Sequence, residues 1–148
     1  MIRIESGPWR EMVAHAESSF PSECCGAMLG VTRGGVKTVS AAIPLENVYR
    51  GGQEDRYEIR PEDLLEVERR ARAANLEMIG IFHSHPDCDA YFSKTDLEHS
   101  CPWYSFVVLS VKAGRFDHAN SFLPNAEQTE AAREPLEYPQ ETRGELLG

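Results

Sequence analysis

From Trp9 onward, the apolar residues Met12, Val13, Ala16 and Phe20 follow at the offsets that place them on one face of a helix. The pattern predicts a helix over residues 8–20, with Pro8 at its first position and Pro21 as its stop. Runs at 27–31 and 36–43 have strand character and flank Arg33, Gly34 and Gly35, where a tight hairpin turn is expected. A second amphipathic stripe, Leu64, Val67, Ala71 and Ala74, predicts a helix that starts at Pro61 with Glu62 and Asp63 in its first turn and has Asn75 as C-terminal cap.

Residues 76–85 form an apolar run ended by Pro86, and 104–111 is rich in β-branched and aromatic residues, so both read as buried strands. Residues 115–123 predict a further strand and 133–138 a last edge strand, while the polar segment 44–57 is expected to be a loop long enough to be functional or mobile. The fold class implied is α/β of the α+β kind, a mixed sheet packed against helices, in a single domain over 1–138 with a flexible tail at 139–148.

Composition narrows the function. The chain has 148 residues and a formal net charge of −9, so it offers no basic footprint for nucleic acid. No segment approaches the roughly 18 apolar residues of a membrane span, and the N-terminus lacks a signal-peptide pattern. A cytoplasmic location with reduced thiols is therefore expected for the four cysteines, of which Cys24 and Cys25 are adjacent and Cys88 and Cys101 stand apart. Trp103 is expected in the core or lining a groove, and His15, His99 and His118 at surface or structural positions.

The candidate chemistry is concentrated in residues 80–100. His83 and His85 alternate on a strand and so present two imidazoles to one face, with Ser84 turned away. Ser93 and Asp96 have the S-x-x-D form of a helix start, which by itself is a capping box. Taken together, two histidines and one carboxylate make three metal ligands with a fourth position for water, the pattern of a catalytic zinc. A hydrolase of that kind also needs a carboxylate base, for which Glu23 at the start of the first hairpin is the candidate.

These residues, Glu23 followed by His83-x-His85, Ser93 and Asp96, resemble the signature of the JAMM (MPN+) zinc metalloproteases. FPSECCGAMLG, PEDLLEVERRA, IGIFHSHP and YSFVVLSV extend the likeness over most of residues 1–120. The resemblance implies a curved mixed sheet between helices, similar to the cytidine deaminase fold. It implies that His83, His85 and Asp96 hold one Zn2+ with a water as fourth ligand. Glu23 would be the acid/base acting on that water, and the Ser93 hydroxyl would stabilise the oxyanion. The compact form resembles the bacterial branch, which implies cleavage of a peptide or isopeptide bond after the Gly-Gly C-terminus of a ubiquitin-like sulfur-carrier protein. The tail of that carrier is expected to lie along a sheet edge by strand addition. Two rivals are a zinc deaminase, which would need H-x-E and P-C-x-x-C and is set aside, and a non-catalytic MPN-type binding module. Oligomeric state is left open by the sequence.

Overall fold

A computed structural model describes residues 1–140. Eight strands form one curved, nearly closed sheet in the order β7-β6-β5-β4-β2-β3-β1-β8. In chain order they are β1 (Ile2–Ile4), β2 (Cys25–Arg33), β3 (Val36–Leu45), β4 (Glu77–Pro86), β5 (Ser105–Lys112), β6 (Arg115–Pro124), β7 (Ala131–Glu134) and β8 (Leu136–Glu137). The helices are α1 (Ser6–Ser19), α2 (Pro61–Ala73) and the single-turn α3 (Lys94–Glu98). Among the described residues no helix is long and apolar enough to cross a membrane.

The hairpin expected around Gly34 and Gly35 joins β2 to β3, and both glycines take the positive φ that such a turn requires. Helix α2 ends as its sequence suggests. Asn75 adopts φ 57°, and the amides of Asn75 and Leu76 return to the carbonyls of Arg72 and Ala71, closing the last turn. Helix α1 begins two residues earlier than Pro8. First-turn N–H groups have no intrahelical acceptor, so a proline is tolerated at any of these positions.

The predicted edge strand at 133–138 is instead two strands parted by Pro135. β7 pairs with β6 and β8 pairs with β1, at opposite ends of the strand order. One residue thus links the two edges, and Ile2 donates its N–H to the Pro135 carbonyl at 2.9 Å. The buried Glu134 side chain reinforces this closure, accepting from Ser121 and pairing with Lys37 of β3 at 3.2 Å. Residues 141–148, most of the expected tail, lie outside the described residues.

α1 covers one face of the sheet. Trp9, Met12 and Ala16 join Met28, Val39, Phe82, Val107 and Leu109 in the main core, with Val13 and Phe20 packed on its margin. The opposite face carries two smaller clusters. Ala27, Leu29 and Ile43 pack under Val67 and Ala71 of α2, and Val108 packs with Ala90, Phe92 and Phe122. The C-terminal half of β4 runs between these clusters, antiparallel to β2 and parallel to β5.

A bulge decides which face its histidines occupy. Met28 pairs with Gly80 and Leu29 with Met78, leaving Ile79 as an extra residue that shifts the alternation by one position. Ile79 and Phe82 therefore both enter the main core, and His83 and His85 face the other way.

Gly80 leaves no room for a side chain, because a Cβ there would overlap the Ser105 carbonyl of β5. Gly80→Ala is expected to force β4 from β5 and to cost about 3 kcal/mol, or roughly 10 °C in melting temperature. A thermal melt followed by circular dichroism checks this, and an unshifted transition would refute the packing account.

Candidate metal centre

Strand register brings the distant Glu23 to the histidines. Cys25 pairs with His83 across β2 and β4, and one step further the Ser84 amide donates to the Cys24 carbonyl at 3.2 Å. Continued by two residues beyond β2, the alternation would set Glu23 on the side of His85, and its carboxyl feels the charge of Asp96. Ser84 faces away from the site, as its position predicts, and its Oγ accepts the Cys24 amide at 2.8 Å, pinning the start of β2 to β4.

Asp96 arrives from the other side through α3. The capping box is fully formed. Ser93 Oγ accepts the Asp96 amide at 3.0 Å, and Asp96 Oδ2 accepts the Ser93 amide at 3.0 Å. The capping reading and the site reading are thus compatible, since the same Oδ2 lies 3.2 Å from both His83 Nε2 and His85 Nε2. All three side chains are buried, and one ligand atom from each lies within 4.8 Å of the others.

Two observations test whether this cluster fits a cation. An N···O separation of 3.2 Å is close to the edge of a zinc tetrahedron, about 3.3 Å for bonds near 2.05 Å. His83 also has no hydrogen-bond partner at either ring nitrogen, although it is fully buried and Asp96 is adjacent. A buried nitrogen of this kind is costly unless something accepts its lone pair. His85 is already oriented for such a role. Its Nδ1 lies 3.0 Å from the Asp89 carbonyl, which fixes the proton there and leaves Nε2 as the donor atom. With two imidazoles and one carboxylate, the donor set suits zinc and leaves room for a fourth ligand.

The electrostatics follow from the same burial. Burial opposes the Asp96 charge, but the adjacent His83 and His85 rings and the Ser93 amide outweigh it and hold the carboxyl well below its usual range. Glu23 is shifted the opposite way. Burial first, then the charges of Asp96 and Asp55, raise its carboxyl to about 9. Its Oε1 is buried without a partner.

Further residues that sequence reasoning passed over frame the site. Tyr57 stacks on His83 with ring centroids 4.7 Å apart, and Tyr91 meets His85 edge-on at 4.9 Å. Only the length of the 46–60 loop hinted at the Tyr57 contact. A cleft of about 390 Å³ opens beside Tyr57, lined also by Ile59, Leu64, Ile81, Thr95 and His99. His15 and His118 are structural. His15 Nε2 contacts the Cys25 carbonyl, and His118 Nε2 accepts the Ala90 amide.

Three expectations are corrected. Trp103 is neither core nor lining of this cleft but 72% exposed, touching Tyr104 edge-on. Adjacent Cys24 and Cys25, for which residue type predicts a partly buried pair, are both fully buried, and burial pushes the Cys24 thiol up to about 12, so it is not a nucleophile near neutral pH. β4 is an interior strand, so a tail added to either edge of the sheet would lie away from the histidines. Cys88 and Cys101 are free thiols.

Comparison with known proteins agrees with the geometry. Residues 6–122 match the family described as prokaryotic homologs of the JAB domain. A desampylase of Haloferax volcanii is 36% identical over 93 residues, 61% of this chain. The match spans 63% of that relative, a little under two thirds of its length. A CysO-cysteine peptidase of Mycobacterium tuberculosis is 33% identical over 102 residues, covering 68% of this chain and 67% of the relative. Among solved structures, a protein of Desulfitobacterium hafniense superposes with a TM-score of 0.81 at 26% identity over 97% of both chains.

The raised Glu23 carboxyl has a consequence for the ion-free protein. Because its folded pKa lies above the ordinary 4.5, the stability tied to its bound proton is complete below that pH and is lost as pH rises through about 9. In chelator-treated protein at pH 8, Glu23→Gln is expected to be more stable than the parent by about 2 kcal/mol or more, and the gain should shrink toward zero near pH 5. Denaturant titrations at the two pH values measure this. Equal stability at pH 8 would show a solvated Glu23.

Proposed function

The chain belongs to the family of prokaryotic JAB/MPN domains, and from that premise we propose that it is a zinc-dependent hydrolase. It would cleave the peptide or isopeptide bond after the Gly-Gly C-terminus of a ubiquitin-like sulfur-carrier protein. The observation that carries this reading is the buried Glu23 carboxyl, with an unpartnered oxygen, which feels the charge of Asp96 in the His83, His85 and Asp96 cluster. The named activities of the desampylase and CysO-cysteine peptidase relatives support the substrate class. A non-catalytic module has no use for an acid kept buried at a cost to stability.

His83, His85 and Asp96 would hold the zinc. When bound, it supplies Lewis acidity toward water and the scissile carbonyl, and its positive charge offsets the Asp96 field that favours protonated Glu23. Glu23 takes a proton from the attacking water and passes it to the departing nitrogen. Ser93 Oγ accepts from the Asp96 amide, which leaves its own O–H free to donate to the carbonyl oxygen as negative charge develops there. Tyr57 and Tyr91, against the two histidine rings, limit water around the reacting bond.

The tail itself fits the cleft beside Tyr57. Glu58 directs its C=O to the Val48 amide and its N–H to Asn47 Oδ1. In an extended segment the neighbouring peptides face the opposite side, which offers Tyr57 and Ile59 as backbone partners for an incoming strand. Glycines at the end of the tail pass between aromatic rings without a side chain to exclude.

The test is intact-mass spectrometry of carriers extended by a few residues beyond Gly-Gly, mixed with zinc-loaded protein. The parent protein is expected to release the extension, and a chelator should abolish release. Asp96→Asn and His83→Ala should lose zinc and turnover together. Glu23→Gln should retain zinc while kcat falls about 1,000-fold or more, and Ser93→Ala should fall about 100-fold. Full turnover by Glu23→Gln would remove it from the mechanism.

A further inference from the structure

Asn47 uses the whole hydrogen-bonding capacity of its side chain. Its Nδ2 donates to the carbonyls of Glu23 at 3.1 Å and Arg56 at 3.0 Å, and its Oδ1 accepts the amides of Tyr49 and Glu58, each at 3.1 Å. A carboxamide has two N–H donors and two acceptor lone pairs, so all four are engaged. The residues joined come from three separate stretches, at 23, 47–49 and 56–58. Tyr57, which stacks on His83, lies between the two residues that Asn47 grips in the third stretch. The same loop also holds Glu23 from its other side, through the Glu23 amide and the Gln53 carbonyl at 2.6 Å.

This matters because Glu23 Oε1 has no partner. The aim of that carboxyl is therefore inherited from its backbone, and the backbone is held by the loop. We propose that Asn47 is a positioning residue that couples the cleft-facing 46–60 loop to Glu23, so that one joint sets both the Tyr57 wall and the base. The proposal rests on the hydrolase reading for its kinetic consequence only. Asn47 does not touch the reacting bond. A displacement of about 1 Å in the base is enough to cost on the order of 100-fold in rate.

Asn47→Asp separates this role from general support of the fold. It preserves shape and both acceptor bonds, but it removes both donors and sets an oxygen against the Glu23 and Arg56 carbonyls. With zinc content and circular dichroism unchanged, kcat is expected to fall about 30- to 100-fold. Gln53→Ala is the comparison. Its Nε2 ties the loop through the Asn47 and Tyr49 carbonyls, and its loss leaves the Asn47–Glu23 bond in place. That variant should raise KM with a change in kcat of only a few-fold. Equal kcat losses in the two variants, or none in Asn47→Asp, would overturn the coupling.

Amide hydrogen exchange reads the joint without any substrate. In the zinc-loaded parent protein, the amides of Glu23, Tyr49 and Glu58 should open as one unit, and Asn47→Asp should speed Glu23 exchange at least tenfold. Unrelated exchange rates for the three amides in the parent would overturn the proposal even if the variant failed to fold. An inactive parent protein with concerted exchange would refute the hydrolase reading and leave the joint standing.

Discussion

The pairing of β4 with β2 on one side and β5 on the other is the constraint on which the site depends. That register, with the extra Ile79, turns His83 and His85 out of the main core and onto the face toward which the alternation would direct Glu23. A slip of one residue would bury the imidazoles against α1 and expose Phe82. The close approach of Gly80 to Ser105 and the Ser84–Cys24 pair resist such a slip at two points along the strand. Asp96 is brought over the strand end by α3, whose capping box with Ser93 holds the carboxylate 3.2 Å from both histidines.

The centre is built against stability. His83 carries two unpartnered nitrogens and Glu23 one unpartnered oxygen, all buried, and desolvation penalises the Glu23 charge. Such groups persist where the surrounding packing over-determines them. Here that packing is the two apolar clusters on either side of β4 and the aromatic rings of Tyr57, Tyr91 and Phe92 around the histidines. A cation at His83, His85 and Asp96 would relieve the nitrogens and the carboxyl together, which ties the fold's least favourable feature to its proposed chemistry.

Much of this was legible from local pattern. Helical offsets located α1 and α2, paired glycines located the first hairpin, and the alternation of His83 and His85 followed from strand geometry alone. Ser93 and Asp96 were readable as a helix start, and the Asp96 carboxylate lies 3.2 Å from both histidines. What escaped was set by tertiary contact. β1 is too short to show a period, and 133–138 reads as one strand because nothing local reveals that its halves pair with different edges. The bonds of Asn47 span positions 23 to 58, so no window of sequence contains them. Trp103 read as core or groove lining by residue type, yet among the described residues it is 72% exposed.

The most direct test of the account is zinc-edge X-ray absorption on the zinc-loaded protein, parent and Glu23→Gln side by side. The account predicts two imidazole nitrogens and oxygen donors at about 2.0–2.1 Å, with the same spectrum in both proteins. Sulfur scattering near 2.3 Å, which would implicate a cysteine such as Cys25, or an all-oxygen shell would contradict it.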